Sequence, residues 1–327
     1  MGHSTPSRLS RSLIRFALVL AGLVLVISFS GAVLPAADSI NILAPYWLFS
    51  GLALCGLTGF IQRKSSSKSW QRLTIFLTLA YAGAALFLLF PLMGSHAART
   101  NESPDLRLVS YNMYKANPDP ASVAGWITQQ NADIVILLEA DQSALTDMQS
   151  LQTQLPYTYD CLDNGTCSTL ILSRIPARRV QPLATEDANN RKALSAVTAL
   201  FPVGDALIPV TAVHQNRPWP LGDQVNDAQI LNIAVQGNAR GGIMAGDFNS
   251  APWTFAMRRL ARAGDMNLAS GATGTWPSGL ALRWFRLPLD EVYLGPCLAV
   301  YSIRRGPSVG SDHFPLIADI KTGQCDG

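Results

Sequence analysis

The sequence predicts an α/β domain, with helices covering two sheets, behind an all-α membrane-spanning region. Charged residues make up only 14% of the 327 residues and hydrophobic ones 48%, whereas an ordinary soluble protein carries about 25% charged residues. The apolar excess is gathered in three runs within the first hundred residues. Beyond them, strand-like and helix-like stretches alternate to the end of the chain, the pattern of a sandwich of sheets and helices.

The three runs, 16–34, 42–61 and 73–93, each approach the ~20 apolar residues needed to cross a bilayer as a helix. A buried core helix is the plain reading of any one of them, and three in succession argue against it. Arg8, Arg11 and Arg15 precede the first run, and "LPAAD" at its end could be a signal-peptide cleavage site. That run is longer than the 7–15 residues typical of a signal peptide core, which favours an uncleaved anchor. Arg63, Lys64, Lys68 and Arg72 lie between the second and third runs, while "PAADSIN" between the first and second has no cation. Positive charge marks the cytoplasmic side. Residues 1–15 are therefore expected in the cytoplasm. Everything after Met93 is expected on the exported, periplasmic side of the inner membrane.

Residues 94–104 read as a polar linker and 105–327 as one catalytic domain. At ~3.5 Å per residue the linker reaches under ~40 Å, which keeps the domain near the bilayer. From Asp105 onward there are 17 Lys/Arg and 20 Asp/Glu, so the positive charge of the whole chain belongs to the membrane-proximal loops. Duplex nucleic acid binders gain affinity by neutralising many phosphates, which this acidic balance makes less natural, though a local groove could still be basic. Cys161, Cys167, Cys297 and Cys325 all fall in the exported part. Cys161 and Cys167 could close a small loop around "LDNGT" and Cys297 could pair with Cys325; free buried thiols are the alternative. No cysteine spacing reads as a zinc site.

Within the domain, "LRLVSYNMY" alternates as a strand. "DPASVAGWITQQN" is a helix capped by Asp119, with Pro120 at its first position. "ADIVILLEA" is a continuous apolar run, as expected of a strand buried on both faces. Two hairpins follow around "CLDNGTCSTLILSR" and "ALSAVTALFPVGDALIPVTAVH". Then come the helix "DQVNDAQILNIAVQGNA", the strand "GGIMAGDF", the helix "WTFAMRRLARAG" and the late strands "DEVYLG" and "HFPLIADIK".

Several of these strands end in polar residues: Asn112, Glu139, His214, then Asp247 and Asn249. Asp290 opens a late strand, and Asp312 and His313 stand just before the last one. Polar ends on otherwise buried strands form a pocket rim. Asp247 and Asn249, two residues apart, would share one side of an extended chain. Oxygen-bearing side chains suit a hard cation such as Mg²⁺ or Mn²⁺. A carboxylate can orient and deprotonate water, and a histidine paired with an aspartate can hold positive charge against a phosphoryl oxygen. Both histidines of the exported domain, His214 and His313, occupy such positions.

"SYNMY", "ILLEA", "AVHQNRPW", "GDFNSAP", "LDEVYL" and "GSDHFPL" occur in that order. Together they resemble the endonuclease/exonuclease/phosphatase superfamily, which includes pancreatic-type deoxyribonucleases, inositol-polyphosphate phosphatases and neutral sphingomyelinases. The resemblance covers 105 to about 321. It implies a four-layered α/β sandwich and a divalent-metal phosphoesterase. Asn112, Glu139 and Asp312 would hold the metal, and Asp247 would activate the attacking water. Asn249 would contact the phosphate. Asp312 and His313 would act as a pair, with His313 on the scissile phosphate. His214 would bind phosphate or assist the leaving group, and Asp290 would support a catalytic histidine. One departure is Glu291, where the family often has histidine.

Arg258, Arg259 and Arg262 read as a solvated helix face. Arg283, Arg286, Arg304 and Arg305 are candidates for substrate phosphate, and Trp219 for either a lid or a packed loop. The expected partners are the lipid bilayer, through three helices, and a phosphoester that is either a lipid head group or nucleic acid. An exported nuclease is the closest rival function. A non-catalytic binding module predicts loss of the metal and histidine positions, which are all present.

Overall fold

A computed structural model describes residues 8–62, 67–90, 92, 97–140, 146, 148–161, 168–183, 194–218, 223–237 and 240–323. The chain divides into two compact units, Met1–Phe90 with Trp253–Phe255, and Pro91–Pro252 with Ala256–Gly327.

The first unit is built on three helices, α1 (Arg8–Ser30), α2 (Ala44–Gln62) and α3 (Lys68–Leu89). Ser12–Ser30, Pro35–Gln62 and Lys68–Leu89 are each long and apolar enough to cross a membrane. Phe16, Val26, Phe49, Phe60, Phe76 and Leu86 point outward, an arrangement suited to lipid rather than water. The helices approach closely at Gly51, where a Cβ would lie 2.0 Å from the Tyr81 ring. The Tyr81 hydroxyl donates to the Ala21 carbonyl at 3.0 Å. Between α1 and α2, buried Asn41 donates to Asp38 Oδ1 at 2.8 Å and accepts from Ser28 Oγ at 2.6 Å. In the same unit the Trp253 indole donates to the Asn41 carbonyl at 2.6 Å. Trp253 therefore stands outside the helix expected from "WTFAMRRLARAG", which begins at Phe255.

The second unit holds two mixed sheets. One runs β1 (Ala98–Arg99), β12 (Leu298–Arg305), β13 (Leu316–Thr322), β2 (Leu106–Asn112), β3 (Ile134–Leu138), β5 (Leu170–Ser173), β4 (Tyr157–Asp160). The other runs β10 (Asn267–Leu268), β11 (Asp290–Leu294), β9 (Ile243–Asp247), β8 (Ala206–His214), β7 (Ser195–Val203), β6 (Arg179–Pro182). Both expected hairpins form, β4 with β5 and β7 with β8. The segment 94–104, expected as a linker, contributes β1, an edge strand that pairs in parallel with β12. The last strand starts at Leu316 rather than at His313.

Alternation along each strand sorts its side chains between two faces. Leu106 and Leu108 of β2, Ile134, Ile136 and Leu138 of β3, Val210 and Ala212 of β8, Ile243 and Ala245 of β9, and Val292 and Leu294 of β11 share one buried core between the sheets. On the outer face of the first sheet, Val109, Tyr111, Val135 and Leu137 pack on Val123, Ala124 and Ile127 of α4 (Pro120–Gln130). On the outer face of the second, Val213, Met244 and Tyr293 pack on Leu231 and Val235 of α5 (Asp223–Gln236) and Met257 and Leu260 of α6 (Phe255–Ala263). The result is four layers, helix, sheet, sheet, helix. The expected N-cap of α4 is present, with Asp119 Oδ1 accepting from Ser122 N at 3.0 Å.

Cys161 and Cys297 are each in a disulfide, and Cys55 is free and buried. The expected partners Cys167 and Cys325 lie outside the described residues, as does Trp219.

Candidate active site

Strand parity decides where the site forms. Asn112, His214, Asp247 and Asp290 each continue the inward-facing set of their strand, so all four end up between the two sheets. Register then lines up three of them. His214 is the partner of Asp247 across the β8–β9 pair, and Asp247 is the partner of Asp290 across β9–β11. Neighbouring strands lie about 4.8 Å apart, which brings the three side chains into one row. The parallel pair β8–β9 needs glycine at 246, because a Cβ there would lie 1.9 Å from the Val213 carbonyl oxygen.

Glu139 falls on the wrong parity, since Ile136 and Leu138 already face inward. Its backbone has φ +56°, a left-handed conformation that interrupts the alternation and turns the carboxylate back to the site. Tyr114, Asn249 and Val309 also have positive φ, and each lies within three residues of a candidate site residue. Sparsely populated backbone conformations of this kind persist only where surrounding structure holds them, and they gather at functional sites.

The contacts form one network. Asn112 Nδ2 donates to Asp247 Oδ2 at 3.0 Å and to Glu139 Oε1 at 3.3 Å, and so bridges the two sheets. His214 Nε2 lies 3.8 Å from Glu139 Oε1. His313 Nδ1 lies 2.7 Å from Asp290 Oδ2, and its Nε2 is 3.6 Å from Asp247 Oδ2. Ser311 Oγ donates to the Asn112 carbonyl at 2.7 Å and accepts from His313 N at 2.9 Å, fastening the "SDH" segment to β2. Ser311, which the sequence sets with Asp312 and His313 just before the last strand, is thus a positioning residue, a role its place alone did not specify.

Electrostatics follow burial and neighbours. Burial pulls the His313 imidazole down, but Asp290 and Asp247 outweigh it and raise its pKa to about 10. The ring is therefore an imidazolium at neutral pH. Burial pushes the Asp247 carboxyl up and Asp290 adds to that, while His313 and His214 pull it back; the net direction is upward. Burial also acts to raise Glu139, but the Lys115 N–H, His214 and Asn112 together lower it.

Two expectations change. Asp312 and His313 adjoin in sequence, but the carboxylate on His313 Nδ1 is Asp290. Asp312 Oδ2 instead accepts from Trp276 Nε1 at 3.2 Å, and among the described residues no hydrogen bond or ion pair joins it to Asn112 or Glu139. The shared side for Asp247 and Asn249 is also lost. Asp247 Oδ1 accepts from Asn249 N at 2.8 Å, which curls the chain into a turn, and Asn249 has φ +46°. Its amide donates to the Gln215 carbonyl at 2.8 Å.

Asp247, Asp290 and His313 have ligand atoms within 4.8 Å of one another. An imidazolium lying between two carboxylates offsets part of their charge and occupies the space between them, so we read the group as an ion-pair triad. Hard-cation chemistry fits better beside it. Glu139, held below its ordinary value, lies outside that triad with Asn112 Nδ2 at 3.3 Å. A donor set dominated by oxygen suits Mg²⁺ or Mn²⁺.

The family model for the Endonuclease/Exonuclease/phosphatase family matches residues 109–313. The chain belongs to this family. Family members hydrolyse phosphoester bonds, and this chain is a hydrolase of that class. An endonuclease/exonuclease/phosphatase from Bacteroides vulgatus superposes with TM-score 0.54 at 15% identity, over 66% of this chain and 98% of that one. One from Beutenbergia cavernae gives 0.51 at 18%, over 67% and 72%. D. rerio TDP2 complexed with single strand DNA product gives 0.54 at 14%, over 66% and 99%. These likenesses show the family fold. No curated protein matches the chain.

Proposed function

We propose that the chain is a membrane-tethered, divalent-metal-dependent phosphoesterase acting on the exported side of the membrane. The observation that carries this reading is His313, held between Asp290 at 2.7 Å and Asp247 at 3.6 Å where β9 and β11 meet. An imidazolium fixed through Nδ1 presents Nε2–H to a phosphoryl oxygen and to the charge that builds there during displacement. Asp247, with its raised pKa, is the group to orient the attacking water and take its proton. His214, at the end of β8, serves the phosphate or the leaving group, and Asn249 serves the phosphate.

Glu139 and Asn112 would hold Mg²⁺ or Mn²⁺, with Asp312 as a further carboxylate on that side; when bound, the ion supplies positive charge to the phosphate and lowers the barrier to attack. Asn112 contributes an oxygen only if its amide turns over, because Nδ2 now faces Glu139 and Asp247. Amide orientation of this kind follows the hydrogen-bond network.

The tethering rests on the three long apolar helices. The exported side rests on the positive loops, and the disulfides at Cys161 and Cys297 suit an oxidising compartment. A reporter fused at Gly327 that was active in the cytoplasm would contradict it. The nuclease reading keeps support from the relative solved with a DNA product, and the acidic balance of the exported domain weighs against it.

Stripping the full chain with EDTA and restoring Mg²⁺ or Mn²⁺ tests the metal. Hydrolysis of bis-p-nitrophenyl phosphate should vanish and return. Turnover unchanged by EDTA would sink the metal dependence.

A further inference from the structure

Between β10 and β11 the chain makes a loop whose base is closed by Trp276 pairing with Leu287. Leu287 N donates to the Trp276 carbonyl at 2.6 Å, and Thr275 N and Trp276 N donate back to Leu287 at 2.9 and 3.1 Å. The same base is tied to the segment that carries His313. Ser278 N donates to the Asp312 carbonyl at 2.7 Å and Ser278 Oγ to the Ser311 carbonyl at 2.7 Å. Arg286 stacks on Phe314 at 4.7 Å and donates to the Leu280 carbonyl at 2.8 Å. The tip is thus held in a fixed shape.

That tip exposes large apolar side chains. Leu282 is 54% exposed, Trp284 83% and Phe285 53%. Single exposed apolar residues need no explanation, but a contiguous group marks an interaction surface. The charges within the loop itself have one sign. Arg283 and Arg286 lie in the tip, and no Asp or Glu occurs from 266 to 289. The like charges also crowd one another. The Arg305 guanidinium is held below its usual value by burial and then by Arg286 and Arg283. Tryptophan, phenylalanine and arginine side by side are the residues that seat a surface in the head-group layer of an anionic bilayer.

We propose that the Leu282–Arg286 tip is a bilayer-contact element, and that the site it adjoins takes a phosphoester carried by a membrane lipid. The proposal rests on the phosphoesterase reading above and names the substrate class. Trp284 and Phe285 enter the interface, and Arg283 pairs with lipid phosphate. The occupant follows from the rest of the chain. Only the residues between Leu89 and Ala98 join the last long apolar helix to the first strand, a reach of roughly 30 Å at ~3.5 Å per residue. So short a lead keeps lipid within reach of the domain.

The test uses the full chain in vesicles of phosphatidylcholine and phosphatidylglycerol, with two chromogenic esters sharing one leaving group. Ethyl p-nitrophenyl phosphate is soluble, and hexadecyl p-nitrophenyl phosphate sits in the bilayer. The triple variant Leu282→Ser, Trp284→Ser, Phe285→Ser should lose about tenfold or more on the hexadecyl ester and stay within about twofold on the ethyl ester. Equal loss on both, or no loss on either, overturns the proposal. A second readout needs no turnover. The fluorescence difference between wild type and Trp284→Phe isolates Trp284, and brominated phosphatidylcholine should quench it. Absence of quenching, or quenching by an added single-stranded oligonucleotide instead, overturns the proposal as well. If wild type hydrolyses neither ester, the phosphoesterase reading fails, and the quenching still decides whether the tip meets lipid.

Discussion

Asp290 Oδ2 lies 2.7 Å from His313 Nδ1, and both side chains are buried. The two residues come from different elements, β11 and the turn before β13, so the pair fixes the imidazole in direction as well as in charge. Replacing Asp290 with Asn keeps the shape and removes the charge. Turnover of a phosphodiester should fall by about 100-fold or more, with the melting temperature of the full chain little changed. Turnover within a few-fold of wild type would assign His313 to a structural role.

The next residue along the strand behaves oppositely. Glu291 faces the outer layer, where it accepts a hydrogen bond from Tyr293, and burial pushes its carboxyl well above the ordinary range. A group that favours its uncharged form loses little on becoming an amide. Glu291→Gln should keep turnover within about twofold and stability within about 1 kcal/mol, measured by the same assay and a thermal melt. A large loss of turnover would mean that this side chain reaches the site.

Much of this was legible in the sequence, for a physical reason. A strand buried on both faces has no use for Asp or Asn, so "IMAGDFN" and "LDEVYL" announce their ends. The four layers come from the resemblance of the six motifs to the family, while the residues themselves indicate only helices on two sheets. The resemblance alone offers Asp290 as support for a catalytic histidine; the residues do not tie it to His313, because adjacency in sequence favours Asp312 while cross-strand register chooses Asp290. The left-handed residues were equally hidden. Nothing in "ILLEA" signals that Glu139 has φ +56°, and without that turn its carboxylate belongs to the opposite face. Asn249 escaped for a related reason, since the Asp247 side chain captures its N–H and ends the extended chain.

Metal affinity should follow Glu139. Glu139→Gln should raise the Mg²⁺ concentration for half-maximal activity by on the order of 10- to 100-fold, read from a titration of the stripped protein. An unchanged midpoint would move the ion elsewhere.

Acid stability has a named contributor remote from the site. Burial acts to raise the Asp319 carboxyl, but Arg107 and Ser302 outweigh it and hold the group below its ordinary value; Arg107 Nε is 2.6 Å away. A depressed folded-state pKa stabilises fully above the unfolded value, near 3.9 for aspartate. That contribution is lost as pH falls through the lower folded value. Melting temperatures between about pH 6 and pH 3 should drop less steeply in Asp319→Asn than in wild type. Parallel curves would remove Asp319 from the account.

Close packing beneath the site is tested at Gly246, where φ is +146° and a Cβ would strike the Val213 carbonyl. Gly246→Ala should cost about 2 kcal/mol or more, seen as a lower melting temperature. An unchanged melt would contradict the observed β8–β9 approach.

The central claim is that Asp247 and His313 act on a phosphoester. It is met most directly by hydrolysis of bis-p-nitrophenyl phosphate by the purified full chain with Mg²⁺, beside Asp247→Ala and His313→Ala. The account predicts metal-dependent release of nitrophenol by wild type and a loss of about 100-fold or more in each folded variant. Full activity in both variants would contradict it.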